Sequence, residues 1–102
     1  MLPKFLQSAL WSYDLKNMDA NNKSDKKIII EQILNYGTWE QLKWLTKTYS
    51  WNEIKQIVKT PSRGIWKKDS LNYWLLFFNL KMPKIKREEA LFSLIPKNLK
   101  NI

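Results

Sequence analysis

The 102-residue sequence contains no cysteine and no histidine. The first absence excludes a disulfide framework, a thiolate zinc site and a cysteine nucleophile. The second removes the usual general base near neutral pH, and with it a serine–histidine–aspartate triad. Acidic residues are also few: nine Asp and Glu face eighteen Lys and Arg, for a net charge of +9. Asp14 and Asp19 flank a turn, and Glu88 and Glu89 are neighbours that point to different sides of a helix. Neither pair has the arrangement of an acid–base dyad or an oxygen-ligated metal loop. No catalytic residue, metal site or cofactor site is therefore read from the sequence. Long apolar runs are missing as well. The stretch Trp74 to Phe78 is far shorter than the ~20 residues of a membrane span. The N-terminal MLPKFLQSALWSYD lacks the apolar core and small-residue cleavage site of a signal peptide. These features predict a cytoplasmic protein with no membrane partner.

What is present is a basic chain with 44% apolar and 14% aromatic residues, including six tryptophans. That is enough to bury one core, and the length suits one domain. The charge is uneven. Residues 1–50 carry seven Lys against five Asp and Glu, whereas residues 51–102 carry eleven Lys and Arg against four. This asymmetry predicts an acidic partner, protein or nucleic acid, for the C-terminal half. Lysine is also the ordinary solubilising surface residue, and Arg63 and Arg87 are the only arginines for bidentate contacts.

The two glycines and four prolines fall at boundaries between helical patterns. Pro3 suits a first turn, and Phe5, Leu6, Ala9 and Leu10 form a short apolar stripe. Ser24 or Asp25 is read as the cap of a second helix, with Ile29, Ile30, Ile33 and Leu34 on one face and Gly37 at its end. Thr38 to Gln41 and Ser50 to Glu53 have the spacing of capping boxes. They open two helices that bury Leu42, Leu45 and Tyr49, and Ile54, Ile57 and Val58. A basic turn around Arg63 and Gly64 leads to a cap at Asp69 or Ser70, the glycine hinting at positive φ. Leu71 to Leu80 is apolar except at Asn72 and Asn79, which reads as a central helix buried on all sides. After Pro83, a last helix from Lys84 carries Leu91, Phe92, Leu94 and Ile95 and stops at Pro96. The predicted fold class is all-α, a compact single-domain bundle of five or six short helices spanning 1–96, with 97–102 as a flexible basic tail.

Most aromatics occupy core-compatible positions, with Trp39, Trp44, Trp51 and Trp66 left as possible contacts. Aromatics among lysines also suit stacking on single-stranded nucleic acid. The helices from Asp25 to Lys59 have the layout of a tri-helical helix-turn-helix, in which Asn52, Lys55, Gln56 and Lys59 would face a groove. Tight helix pairs of this kind occur in any bundle. Arg63, Lys67 and Lys68 could cradle an anion at the start of the following helix, or form a solvated loop.

The order of short motifs resembles a known group. Leu2-Pro3 followed by Trp11-Ser-Tyr-Asp14, Ile33-Leu-Asn-Tyr-Gly37, Lys43-Trp-Leu45 with Thr48-Tyr-Ser50, and Ser70-Leu-Asn-Tyr-Trp74 are its pieces. They are similar to those of small bacterial proteins encoded beside nucleotidyltransferases of the abortive-infection toxin class. The resemblance runs from about Leu2 to Leu80, and residues 81–102 lie outside it. It implies a non-enzymatic, antitoxin-like partner that binds and restrains such a toxin; no catalytic residue is carried over. On this expectation Arg63, Lys67 and Lys68 make electrostatic contacts, with Trp51 and Trp66 as apolar anchors. The alternative expectation is DNA or RNA binding through Lys55, Lys59, Lys67 and Lys68, with possible regulation of its own operon.

Overall fold

A computed structural model describes residues 2–92. Two 3₁₀ turns, Lys4–Leu6 and Leu15–Asn17, precede five α-helices among these residues: α1 (Lys23–Tyr36), α2 (Trp39–Thr48), α3 (Trp51–Lys59), α4 (Lys68–Phe77) and α5 (Lys84–Ala90). The fold is an all-α, single-domain bundle, as its periodicity predicts. The expected helical positions Leu94 and Ile95, the stop at Pro96 and the basic tail 97–102 lie outside the described residues.

Local chemistry explains most helix starts. Both capping boxes form. Thr38 Oγ1 accepts from the Gln41 N–H while the Gln41 side chain accepts from the Thr38 N–H, and Ser50 and Glu53 make the same reciprocal pair. Helix α1 starts earlier than expected. Asn22, not Ser24 or Asp25, is its cap, accepting from the N–H groups of both those residues. Helix α4 also begins early, at Lys68, with no side-chain cap from Asp69 or Ser70.

The two glycines act differently. Gly64 takes φ +69°, which an L side chain rarely adopts. Gly37 has ordinary extended backbone, but a Cβ there would sit 2.5 Å from the Ile33 carbonyl oxygen. Its requirement is close approach at the end of α1.

The centre of the molecule is α1, which packs against α2, α3 and α4. Every residue from Ile29 to Asn35 is buried, polar ones included. This corrects the expectation that Leu71 to Leu80 forms the central helix. α4 is two-faced. Leu71, Trp74 and Leu75 turn inward, whereas Tyr73, Leu76 and Phe77 are exposed, Leu76 at 82%.

Buried polar groups on α1 and α2 dock the irregular segments. Gln32 Nε2 donates to the Ala9 carbonyl at 3.1 Å, and Gln41 Nε2 donates to the Phe5 carbonyl and Ser8 Oγ, both at 2.7 Å. Asn35 Oδ1 accepts from the Lys67 N–H at 2.9 Å. Glu31, only 3% exposed, accepts from the Ser62 N–H, the Ser62 hydroxyl and Trp66 Nε1–H at 2.7, 2.6 and 2.7 Å. Those three donors replace the water a buried carboxylate loses.

The last described residues correct another expectation. α5 ends at Ala90, and Leu91 is extended, forming a parallel bridge with Trp66. The N–H groups of Ile65 and Trp66 donate to the Ala90 carbonyl, and Gly64 N–H donates to that of Glu89. The turn thus satisfies carbonyls that a helix C-terminus leaves open.

Tyr49 closes α2 and yields a pH-dependent prediction. Its hydroxyl donates to the Ala20 carbonyl at 2.8 Å. Burial, with the nearby Glu53, Asp19 and Asp25 charges, pushes its pKa from 10.0 up to about 12. The folded state therefore holds this proton more tightly than the unfolded chain. The resulting stability is present below about pH 10 and is lost as pH rises toward about 12. Tyr49→Phe is expected to cost about 1 kcal/mol at neutral pH through the lost hydrogen bond. In urea denaturation the gap to the parent should narrow above pH 10; a constant gap would contradict the assignment.

Candidate interaction surface

The residues singled out by sequence do not form one patch. Trp51 is the first residue of α3, placed by the Ser50–Glu53 box, and is 47% exposed. Lys55 is half-buried one turn later, and Lys59 is exposed at the end of α3. Arg63, Lys67 and Lys68 are exposed around the turn into α4. Trp51 instead meets the other end of α4, at Phe77 and Phe78. Ten residues of helix, about 15 Å, separate the two groups.

Trp66 is not a surface anchor. It is fully buried, its ring lies in the core, and its indole N–H is bound to Glu31. Sequence reasoning placed it in a basic exposed turn. The carboxylate that draws it inward lies 35 residues earlier in the chain.

Three exposed residues of the α3–α4 surface were missed. Leu71, Trp74 and Leu75 face the core, and Trp74 Nε1 donates to the Leu34 carbonyl at 3.2 Å. Helical geometry then turns Tyr73, Leu76 and Phe77 outward. Phe77 is the hub: its ring centroid lies 5.4 Å from Trp51, 5.2 Å from Trp74 and 6.2 Å from Tyr73, the last nearly parallel at 18°. Rings at these separations support one another and form a continuous exposed ridge. α4 ends here because Asn79 adopts φ +53°, with Leu80 N–H donating to the Leu75 carbonyl and Asn79 N–H to that of Leu76. This left-handed helix stop returns the chain toward α4. Asn79, one of two polar residues in the apolar run, was the readable signal.

A second aromatic group lies elsewhere. Trp39 is 67% exposed, with the Lys43 ammonium 5.7 Å from its ring centroid. Trp11 and Tyr36 meet edge to face at 4.8 Å, and Lys67 Nζ lies 5.1 Å from the Tyr36 centroid. Trp44 is half-buried against Tyr49. On α3, Asn52, Gln56 and Lys59 are exposed.

The charge around these surfaces is largely uncompensated. Among the described residues only Lys26–Glu53 and Lys84–Glu88 come within ion-pair distance, at 3.5 and 4.0 Å. Among the same residues no three acidic side chains gather as a metal site, and no helix is long and apolar enough to cross a membrane. The arrangement offers aromatic contact area and positive charge, the components of a binding surface.

Comparison with curated proteins and with solved structures finds no match to this chain. A family model does match residues 5–58, from the first 3₁₀ turn through most of α3. The match covers more than half of the chain and includes Trp51, while Tyr73, Phe77 and Arg87 lie beyond it; the protein belongs to a family of unknown function, DUF6922.

Proposed function

We propose that the protein is a non-enzymatic interaction protein of the cytoplasm, an antitoxin-like partner that binds and restrains a nucleotidyltransferase toxin encoded beside it. The observation that carries the reading is the exposed ridge of Trp51, Tyr73 and Phe77, with Leu76 beside it, on a basic chain. Aromatic side chains at the centre of an interface supply most of its binding energy, and a basic rim speeds encounter with an acidic partner. The metal-binding carboxylates of a nucleotidyltransferase fit that charge. The motif resemblance at Leu2 to Leu80 supports the choice of enzyme class.

Pull-down with the neighbouring nucleotidyltransferase tests this reading. A complex is expected at micromolar concentration in moderate salt, and Trp51→Ala with Phe77→Ala should weaken it by about tenfold or more. Absence of a complex under those conditions would overturn the reading.

A second reading, DNA or RNA binding, is favoured by the packing of α1 against both α2 and α3 while Asn52, Gln56 and Lys59 stay exposed. It predicts duplex affinity that falls steeply with salt, because bound lysines release counterions. Changing Lys55, Lys59, Lys67 and Lys68 to Glu should abolish that binding. Intact affinity would remove the basic-helix argument.

A further inference from the structure

Where α1 hands over to α2 the surface carries four exposed aromatic side chains outside the α3–α4 ridge: Phe5, Trp11, Tyr36 and Trp39. Tyr36 is the last residue of α1 and Trp39 the first of α2, so their Cα atoms lie no more than about 11 Å apart. Trp11 joins them through its edge-to-face contact with Tyr36 at 4.8 Å. Phe5 is tied to the same junction by Gln41, whose Nε2 donates to the Phe5 carbonyl while its Oε1 accepts from the Thr38 N–H. A buried amide thus holds together the backbone from which these rings project.

Lysines stand at the rings. Lys43 Nζ lies 5.7 Å from the Trp39 centroid and Lys67 Nζ 5.1 Å from that of Tyr36, and both side chains are exposed. Lys4 precedes Phe5, and Lys68 follows Lys67. Among the described residues none of these four lysines has a carboxylate within ion-pair distance. The acidic neighbours in the chain are Glu40, Asp69 and Asp14, the last occupied by the Lys16 N–H and the Asn17 amide.

The composition of this surface selects its ligand. Its large exposed apolar side chains are all aromatic, whereas the ridge adds Leu76. Lysine is depleted at protein–protein interfaces, where arginine is enriched. Rings among lysines instead hold a single nucleic-acid strand: bases stack on the rings whatever their sequence, and ammonium groups follow the phosphates. A duplex keeps its base faces stacked on one another and cannot use the rings.

We propose that the α1–α2 junction binds single-stranded nucleic acid, with unstacked bases on Trp11 and Trp39 and phosphates on Lys43 and Lys67. Trp11 and Trp39 are the platforms because they are the most exposed of the four rings, at 58% and 67%. Tyr36 touches both Trp11 and Lys67 and orients them. Lys67 lies at the start of α4 and Phe77 at its end, so this site and the aromatic ridge occupy opposite ends of that helix. The inference does not depend on the toxin partner, and it differs from the α3 reading in both surface and strandedness.

Fluorescence anisotropy of a labelled twelve-nucleotide oligothymidylate, titrated with the full chain, tests the site. Saturable binding is expected, and Trp11→Ala and Trp39→Ala should each weaken it by about tenfold. Lys43→Gln and Lys67→Gln should each reduce the slope of log affinity against log salt by about 0.7. An abasic strand of the same length should bind at least about tenfold more weakly than oligothymidylate. In the parent chain, oligothymidylate should shift the indole N–H NMR signals of Trp11 and Trp39 and leave that of buried Trp66 in place. Unmoved Trp11 and Trp39 signals overturn the proposal whatever the variants do. Equal affinity for the abasic strand overturns it too, because charge alone then binds. So does an equal loss of duplex affinity in the two tryptophan variants, or competition by polyglutamate as effective as by unlabelled oligothymidylate, which assigns the surface to an acidic protein segment. Trp51→Ala with Phe77→Ala should leave oligonucleotide affinity unchanged; a loss equal to that of Trp11→Ala moves the site to the ridge and overturns the assignment.

Discussion

Trp66→Ala is expected to lower the unfolding free energy by about 5 kcal/mol, the upper end for truncating a buried aromatic. Two effects act together. The largest fully buried side chain leaves a cavity under the turn, and Glu31 loses the indole N–H that donates at 2.7 Å. With a total of ~5–15 kcal/mol for a domain of this size, the variant should be marginal or unfolded at 25 °C. Trp66→Phe separates the contributions: it keeps most of the packing and loses the hydrogen bond, about 1.5–3 kcal/mol for a bond to a charged acceptor. Urea denaturation followed by circular dichroism measures both. A stable Trp66→Ala variant with weakened partner binding would restore Trp66 to the surface role expected from its neighbours Lys67 and Lys68.

Trp74→Ala is expected to cost about 3–5 kcal/mol. The ring is buried, packs edge to face on Phe77 at 5.2 Å, and its N–H holds the Leu34 carbonyl of α1. Leu76→Ala, two residues along the same helix, should change stability by less than about 0.5 kcal/mol, since it removes an exposed side chain. The pair distinguishes a two-faced α4 from one buried all round. Equal large losses would mean that Leu76 is covered in solution, and equal small ones that α4 is not anchored to α1.

Interactions that close within one helical turn were legible. The Thr38–Gln41 and Ser50–Glu53 boxes, the inward face of Ile29, Ile30, Ile33 and Leu34, and the left-handed Gly64 all follow from residues three or four positions apart or from a single residue's steric freedom. The partial exposure of Trp39 and Trp51 follows from their place in first turns. Of the candidate site, Trp51 was found and the rest of its ridge was not. Apolar residues at every position from Leu71 to Phe77 except Asn72 hide which face of α4 is wanted, and only the arrival of α1 against Leu71, Trp74 and Leu75 leaves Tyr73, Leu76 and Phe77 outside.

Composition alone excluded cysteine and histidine chemistry, and periodicity with local capping was enough to specify an all-helical chain and most of its helix starts. Those properties depend on which atoms are present and on contacts between near neighbours in the chain. The three-dimensional packing decided that α1 rather than α4 lies at the centre, that Trp66 turns inward, and that Trp51, Tyr73 and Phe77 gather in one exposed ridge. Each depends on contacts between residues far apart in the chain, as Trp66 shows. A buried carboxylate must find donors wherever they are in the chain, and Glu31 finds them at Ser62 and Trp66, more than thirty residues away. Chemistry without histidine or cysteine therefore remains the firmest reading of the residues, while the surface offered to a partner is a product of the fold.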